Sequence, residues 1–97
     1  MSNHPPSILD SATVFAFAVV DNDVNYENRK TLYVNGKLLG AVPKLAICQN
    51  PDESEVMVFH CDEDWNVLGV SAHASVLEAL QKVELSYKGL LQKWVQV

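Results

Sequence analysis

The chain has 97 residues, 48% of them hydrophobic and 20% charged, with 12 acids against 7 bases and a net charge of −5. Such a length gives one domain with one modest core, and the apolar content excludes disorder over the whole chain. Arg29–Lys30 is the only pair of adjacent bases and Arg29 the only arginine. No phosphate-binding face is therefore expected: a nucleic-acid partner is excluded, while a basic protein partner is permitted.

Residues 1–11 read as a flexible arm, because His4-Pro5-Pro6-Ser7 can start neither a helix nor a central strand. The arm precedes a single domain over 12–97. Residues 13–20 are apolar at nearly every position and rich in β-branched and aromatic types, which predicts a strand covered on both faces. Strict alternation would set Phe15, Phe17 and Val19 on one face. The other face would then carry Val14, Ala16, Ala18 and Val20, the alanines admitting a closely packed helix. Residues 21–30 are polar and predict a loop. Asn35-Gly36 between apolar runs predicts a hairpin, since a type I′ turn needs positive φ at both central residues. A short strand at 45–48, or a continuation of the second arm after a bend, and a turn at 49–54 follow. A strand at 55–61 then pairs through a turn at 62–64 with a second strand at 65–70, where Gly69 marks a bulge or a close approach.

The helical signal is clearest at 75–88. Ser75 and Glu78 make a capping box, and Val76, Leu80, Val83 and Tyr87 form the apolar stripe, widened by Leu77 and Ala79. Lys82 and Lys88 suit the late turns, and Gly89 the C′ position. Residues 90–97 predict a last strand or a docked tail anchored by Trp94. With no helical crossovers, the fold class is α+β: a mainly antiparallel sheet of four to six strands with one amphipathic helix on one face.

Chemistry-bearing residues do not converge in this plan. Asp21-Asn22-Asp23-Val24-Asn25-Tyr26-Glu27 opens like a calcium loop, but Tyr26 stands where the turn glycine belongs and Leu32 where the bidentate Glu belongs. His60 and Cys61 are strand neighbours and point to opposite faces, so with His73 they make a poor zinc set. No dyad or triad spacing activates Cys48 or Cys61, and no phosphate-loop or dinucleotide motif occurs. A disulfide between Cys48 and Cys61 is geometrically open, but two cysteines, no signal peptide and no run of ~20 apolar residues predict reduced thiols in the cytoplasm, away from the membrane. The expectation is that no enzyme, metal or cofactor is involved.

The run Val58-Phe59-His60-Cys61-Asp62-Glu63-Asp64-Trp65-Asn66-Val67-Leu68-Gly69, followed by Ser75, Glu78–Ala79, Tyr87, Gly89 and Trp94, resembles a set of small uncharacterised bacterial α+β proteins. The resemblance implies that Trp65 closes its turn over the core and that Gly69 admits the helix or a bulge. At the level of the strand–strand–strand–helix plan the chain is also similar to immunity and antitoxin-type proteins, which are short, acidic and cytoplasmic and mask a toxic partner. These readings point to a non-enzymatic, protein-binding domain of inhibitor or immunity type. Its candidate surface is Asp21, Asp23, Tyr26, Glu27, Asp62, Glu63, Asp64 and Trp65, with Tyr26 and Trp65 as aromatic anchors. A homodimer closing an extended sheet, and a small metal- or ligand-binding protein, are the alternatives.

Overall fold

The computed structural model describes residues 4–9, 12–27, 33–34, 37–38, 40–50 and 52–97. In chain order the elements are β1 (Ile8–Leu9), β2 (Ala12–Val19), β3 (Asn25–Tyr26), β4 (Tyr33–Val34), β5 (Lys37–Leu38), β6 (Lys44–Gln49), β7 (Val56–Cys61), β8 (Val67–His73), α1 (Val76–Ser86), β9 (Tyr87–Lys88), a 3-10 helix (Leu90–Lys93) and β10 (Val95–Gln96). A curled antiparallel sheet runs β1-β2-β6-β7-β8, and β10 joins it on β2. One α-helix packs on the sheet, so the architecture is α+β as the periodicity predicts.

Two bulges set which side chains share a face. Val14 pairs with Cys48 and Ala16 with Ile47, which leaves Phe15 as the extra residue of β2. Simple alternation is therefore broken. Val14 and Phe17 lie on one face, Ala16 and Ala18 on the other, and Phe15 is exposed. In β8 the pairs His60–Gly69 and Cys61–Val67 leave Leu68 extra, so the bulge signalled by Gly69 is present beside it.

The sheet thus has two apolar faces. Ala18, Leu45, Ile47, Val56 and Val58 pack under Ala79 and Val83 of α1, with Tyr87 and Leu90 closing the end of that core. Ala18 of β2 and Ala79 of α1 are both fully buried in this core. The other face carries Val14, Phe17, Ala46, Cys48, Phe59 and Cys61, and among the described residues no helix belongs to this cluster. Its cover comes from the chain itself. Trp65 packs edge-on to Phe17 at 5.9 Å between ring centres, the His4 ring lies 4.7 Å from Phe17, and Pro5 and Leu9 are buried. Residues 4–9, within the segment expected to be an arm, therefore lie against this face, with β1 paired to β2 through Ile8–Thr13 and Leu9–Ala12.

α1 begins as the capping box predicts. The Glu78 N–H donates to Ser75 Oγ at 3.1 Å, and the Ala74 N–H donates to Glu78 Oε1 at 3.4 Å. The helix ends earlier than its apolar periodicity, because Tyr87 and Lys88 turn extended and pair with Tyr26 and Asn25. Tyr87 is held there by the Val42 N–H, which donates to its hydroxyl at 3.1 Å, and by the Tyr26 ring at 4.9 Å. No base stands in the last turn of α1. Lys88 instead pairs with Glu27 at 3.0 Å. Leu77, placed on the stripe by spacing, is exposed. Gly89 has φ +96, and a Cβ there would sit 3.1 Å from Asp23 O. Glu84 then caps the 3-10 helix, accepting from the Gly89 and Leu91 N–H groups at 2.8 Å each. The 33–38 region pairs as Tyr33–Leu38 and Val34–Lys37, the ladder expected of the hairpin. The Asn35-Gly36 turn itself lies outside the described residues.

Candidate functional site

Pairing places the acidic turns at two different ends of the sheet. Val19, Lys44 and Cys61 stand side by side on β2, β6 and β7. The segment that begins at Asp21 and the turn at 62–66 therefore leave the sheet at the same end. The turn bearing Asp52, Glu53 and Glu55 joins the opposite ends of β6 and β7. The expected surface residues thus fall at one end, and Asp52, Glu53 and Glu55 stand at the other.

At that end the expected residues divide by role. Asp21 and Asp23 share the Lys93 ammonium, at 3.0 and 3.5 Å. The hydrogen bond from Lys93 is the largest cause holding the Asp21 carboxyl below its usual range. The lysine occupies the place between the two carboxylates that a bound cation would take, which opposes a calcium loop. Glu27 pairs with Lys88, and Tyr26 is half-buried against Tyr87. Asp62 is spent on its own turn. It accepts from the Asp64 and Asn66 N–H groups at 2.9 Å and from the Asn66 amide at 3.0 Å, bonds that lower its pKa with Asn66 as the largest cause. Asp23, Glu63 and Asp64 are exposed, the Asp23 side chain at 85% while it shares Lys93 and the Glu63 side chain at 66% with its Oε2 4.0 Å from Lys44 Nζ.

Trp65 is buried in the second core and adopts φ +66, a left-handed conformation rarely held by a large side chain. Its N–H donates to Asp62 O at 3.1 Å, and the Asp62 N–H donates to Asn66 O at 3.0 Å. The strained backbone is held by the indole's packing on Phe17. Trp65 therefore closes the turn over the core and is not an exposed anchor. Lys44, almost wholly buried, runs beneath this turn. Its ammonium donates to Glu63 O at 2.7 Å and lies 5.2 Å from the Trp65 ring centre. A buried lysine thus fixes the peptide that carries Glu63, a link with no local sequence signal.

The histidines and cysteines do not gather around one point. His60 shares the helix face with Leu45, whereas Cys61 belongs to the second core. His60 is buried with no hydrogen-bond partner for Nε2, and burial, with His73 as a lesser cause, pushes its pKa down to about 4. His73 Nε2 and Ser71 Oγ lie 2.9 Å apart, and His73 Nδ1 stands 3.8 Å from Glu78 Oε1. That alignment has the order of a nucleophile, base and acid. Yet the carboxylate is beyond hydrogen-bond reach of the ring and accepts from Ala74, so the row ties the end of β8 to the start of α1. Cys48 and Cys61 are both free and buried on neighbouring strands. They are four pairing positions apart, too far for a disulfide, since Cys48 pairs with Met57 and Cys61 with Lys44. Burial, with Cys61 as a further cause, pushes the Cys48 thiol up to about 12. Among the described residues no three His, Cys, Asp or Glu side chains are placed to hold a metal ion, and no helix is long and apolar enough to cross a membrane.

Comparison with known proteins finds no matching family, no similar curated protein and no similar solved structure.

Proposed function

We propose that this chain is a non-enzymatic binding domain that docks a basic protein surface onto the acidic end of its sheet, as an inhibitor or immunity-type protein masks a partner. What carries the reading is the placement of Asp23, Glu63 and Asp64. All three are exposed, and the 62–66 turn is held rigid by the Asp62 bonds and the buried Lys44–Trp65 pair. A rigid display of carboxylates steers and orients a cationic partner with little ordering cost on binding. The net charge of −5 adds long-range attraction of the same sign.

The turn at 52–55 has three exposed acids too and serves as an internal control. Titration of the isotopically labelled chain with a lysine-rich peptide, followed by amide chemical shifts, tests the reading. Shifts confined to residues 21–23 and 62–66 support it. Equal shifts at 52–55 reduce the interaction to unspecific charge attraction and contradict it.

A further inference from the structure

We propose that two copies of this chain meet along the outer edge of β2, the edge capped by β1 and β10. This inference is independent of the acidic docking end. β1 and β10 run in the same direction along that edge and abut end to end. The Val97 N–H donates to Phe15 O at 2.9 Å, and the next residue of β2, Val14, donates its N–H to Ser7 O at 3.0 Å. Residues 95–97 and 7–9 therefore act as one composite strand over residues 12–17 of β2. No described strand pairs with its outer side. By the alternation of an antiparallel ladder, the Ile8 and Gln96 amides point outward from it.

Side chains favour a second copy as the occupant. Ile8, Val95 and Val97 on the composite strand and Phe15 on β2 beside it are four of the ten exposed large apolar residues among the described residues. Residues 7–9, 12–20 and 94–97 contain no charged side chain, in a chain that is 20% charged. Two molecules of net charge −5 repel each other over most of their surfaces, and that repulsion is weaker along segments without charged side chains. A basic partner gains nothing there and is drawn to the acidic end instead. An antiparallel edge is also self-complementary: a two-fold axis through the junction of Val97 and Ser7 sets β10 of one copy against β1 of the other.

Sedimentation velocity on the full chain, from low micromolar to millimolar, tests the proposal. The wild-type mass should rise from 10.8 kDa towards twice that value. Val97→Lys should weaken the association about tenfold or more by setting like charges beside the axis, and Val95→Lys should weaken it by placing a charge against the apolar Leu9 of the other copy. Val70→Lys, on the opposite edge strand β8, should leave it unchanged. Hydrogen exchange of the Ile8 and Gln96 amides in the wild type should slow with concentration, a readout that needs no variant. A mass that stays monomeric throughout overturns the proposal, as does a dimer abolished by Val70→Lys and not by Val95→Lys. Neutralising Glu63 and Asp64 should leave the dimer intact, which separates this test from that of the acidic end.

Discussion

Replacing His60 by leucine should raise stability at neutral pH and reduce the chain's sensitivity to mild acid, leaving the smaller part that His73, also held below its usual range by burial, contributes. His60 is buried on the helix face of β7 with its Nε2 unpartnered. Burial, reinforced by His73, lowers its pKa from 6.5 to about 4. In the unfolded chain the imidazole regains its ordinary affinity for a proton. Between these two pH values the unfolded state binds a proton that the folded state does not, so stability falls as pH drops. The contribution is nearly complete above 6.5 and fully lost only below about 4. At 1.36 kcal/mol per pH unit the whole window is worth ~3 kcal/mol, of which ~2 kcal/mol is lost by about pH 5. That is a large share of the ~5–15 kcal/mol typical of a domain. Leucine fills a similar volume without a buried unpaired nitrogen and should add ~1 kcal/mol at neutral pH. Urea unfolding of both proteins at about pH 7 and about pH 5 gives the comparison. If His60→Leu and the wild type lose the same stability on acidification, or if the variant is less stable at neutral pH, the buried, unpaired imidazole is not the cause.

Three further outcomes follow from the fold. Ser75→Ala removes the hydroxyl that accepts from the Glu78 N–H and should cost ~1 kcal/mol in thermal or urea unfolding. Gly89→Ala forces φ +96 on a residue with a Cβ and presses that carbon to 3.1 Å from Asp23 O. It should destabilise by ~1–2 kcal/mol and loosen the 21–27 loop, seen as faster hydrogen exchange of the Val24 and Glu27 amides. Cys48, buried and with its pKa pushed up to about 12, should react with a disulfide reagent only as fast as the fold opens, and Cys61 is equally covered. Both thiols should label at once in denaturant, and rapid native labelling would place them outside the core.

The strands, the helix and its capping box were legible because their causes are local. Ser75 and Glu78 are three residues apart, and the bonds they make are the ones that spacing implies. The bulge at Phe15 was not legible. Alternation alone puts Phe15 beside Phe17, and only pairing with β6 shows that β2 carries one residue more than its partner. The early end of α1 had the same kind of cause. Tyr87 continues the apolar stripe at helical spacing, but the Val42 N–H, forty-five residues away, and the Tyr26 ring draw it out of the helix.

The candidate site was partly visible for the same reason. Acidic turns can be read from composition, but which of them share an end depends on register. Asp62 and Asp64 are near neighbours in sequence, yet one is consumed by its turn and the other projects, a difference set by the Asn66 amide and the backbone path. Lys44 gave no signal at all. A lysine beside Pro43 reads as a loop residue, and its burial under Trp65 follows from strand pairing with Cys61. The strand at 13–20 reads as covered on both faces, but its composition does not name the cover of the second face, which lies in residues 4–9 and Trp65.

The most direct test of the acidic docking end compares two pairs of neutralised carboxylates by their effect on binding a lysine-rich peptide across a salt series. Glu63→Gln with Asp64→Asn should weaken binding and flatten its salt dependence, while Asp52→Asn with Glu53→Gln should leave both unchanged. Equal losses from the two pairs would contradict the account, because the two ends of the sheet would then be interchangeable to a basic partner.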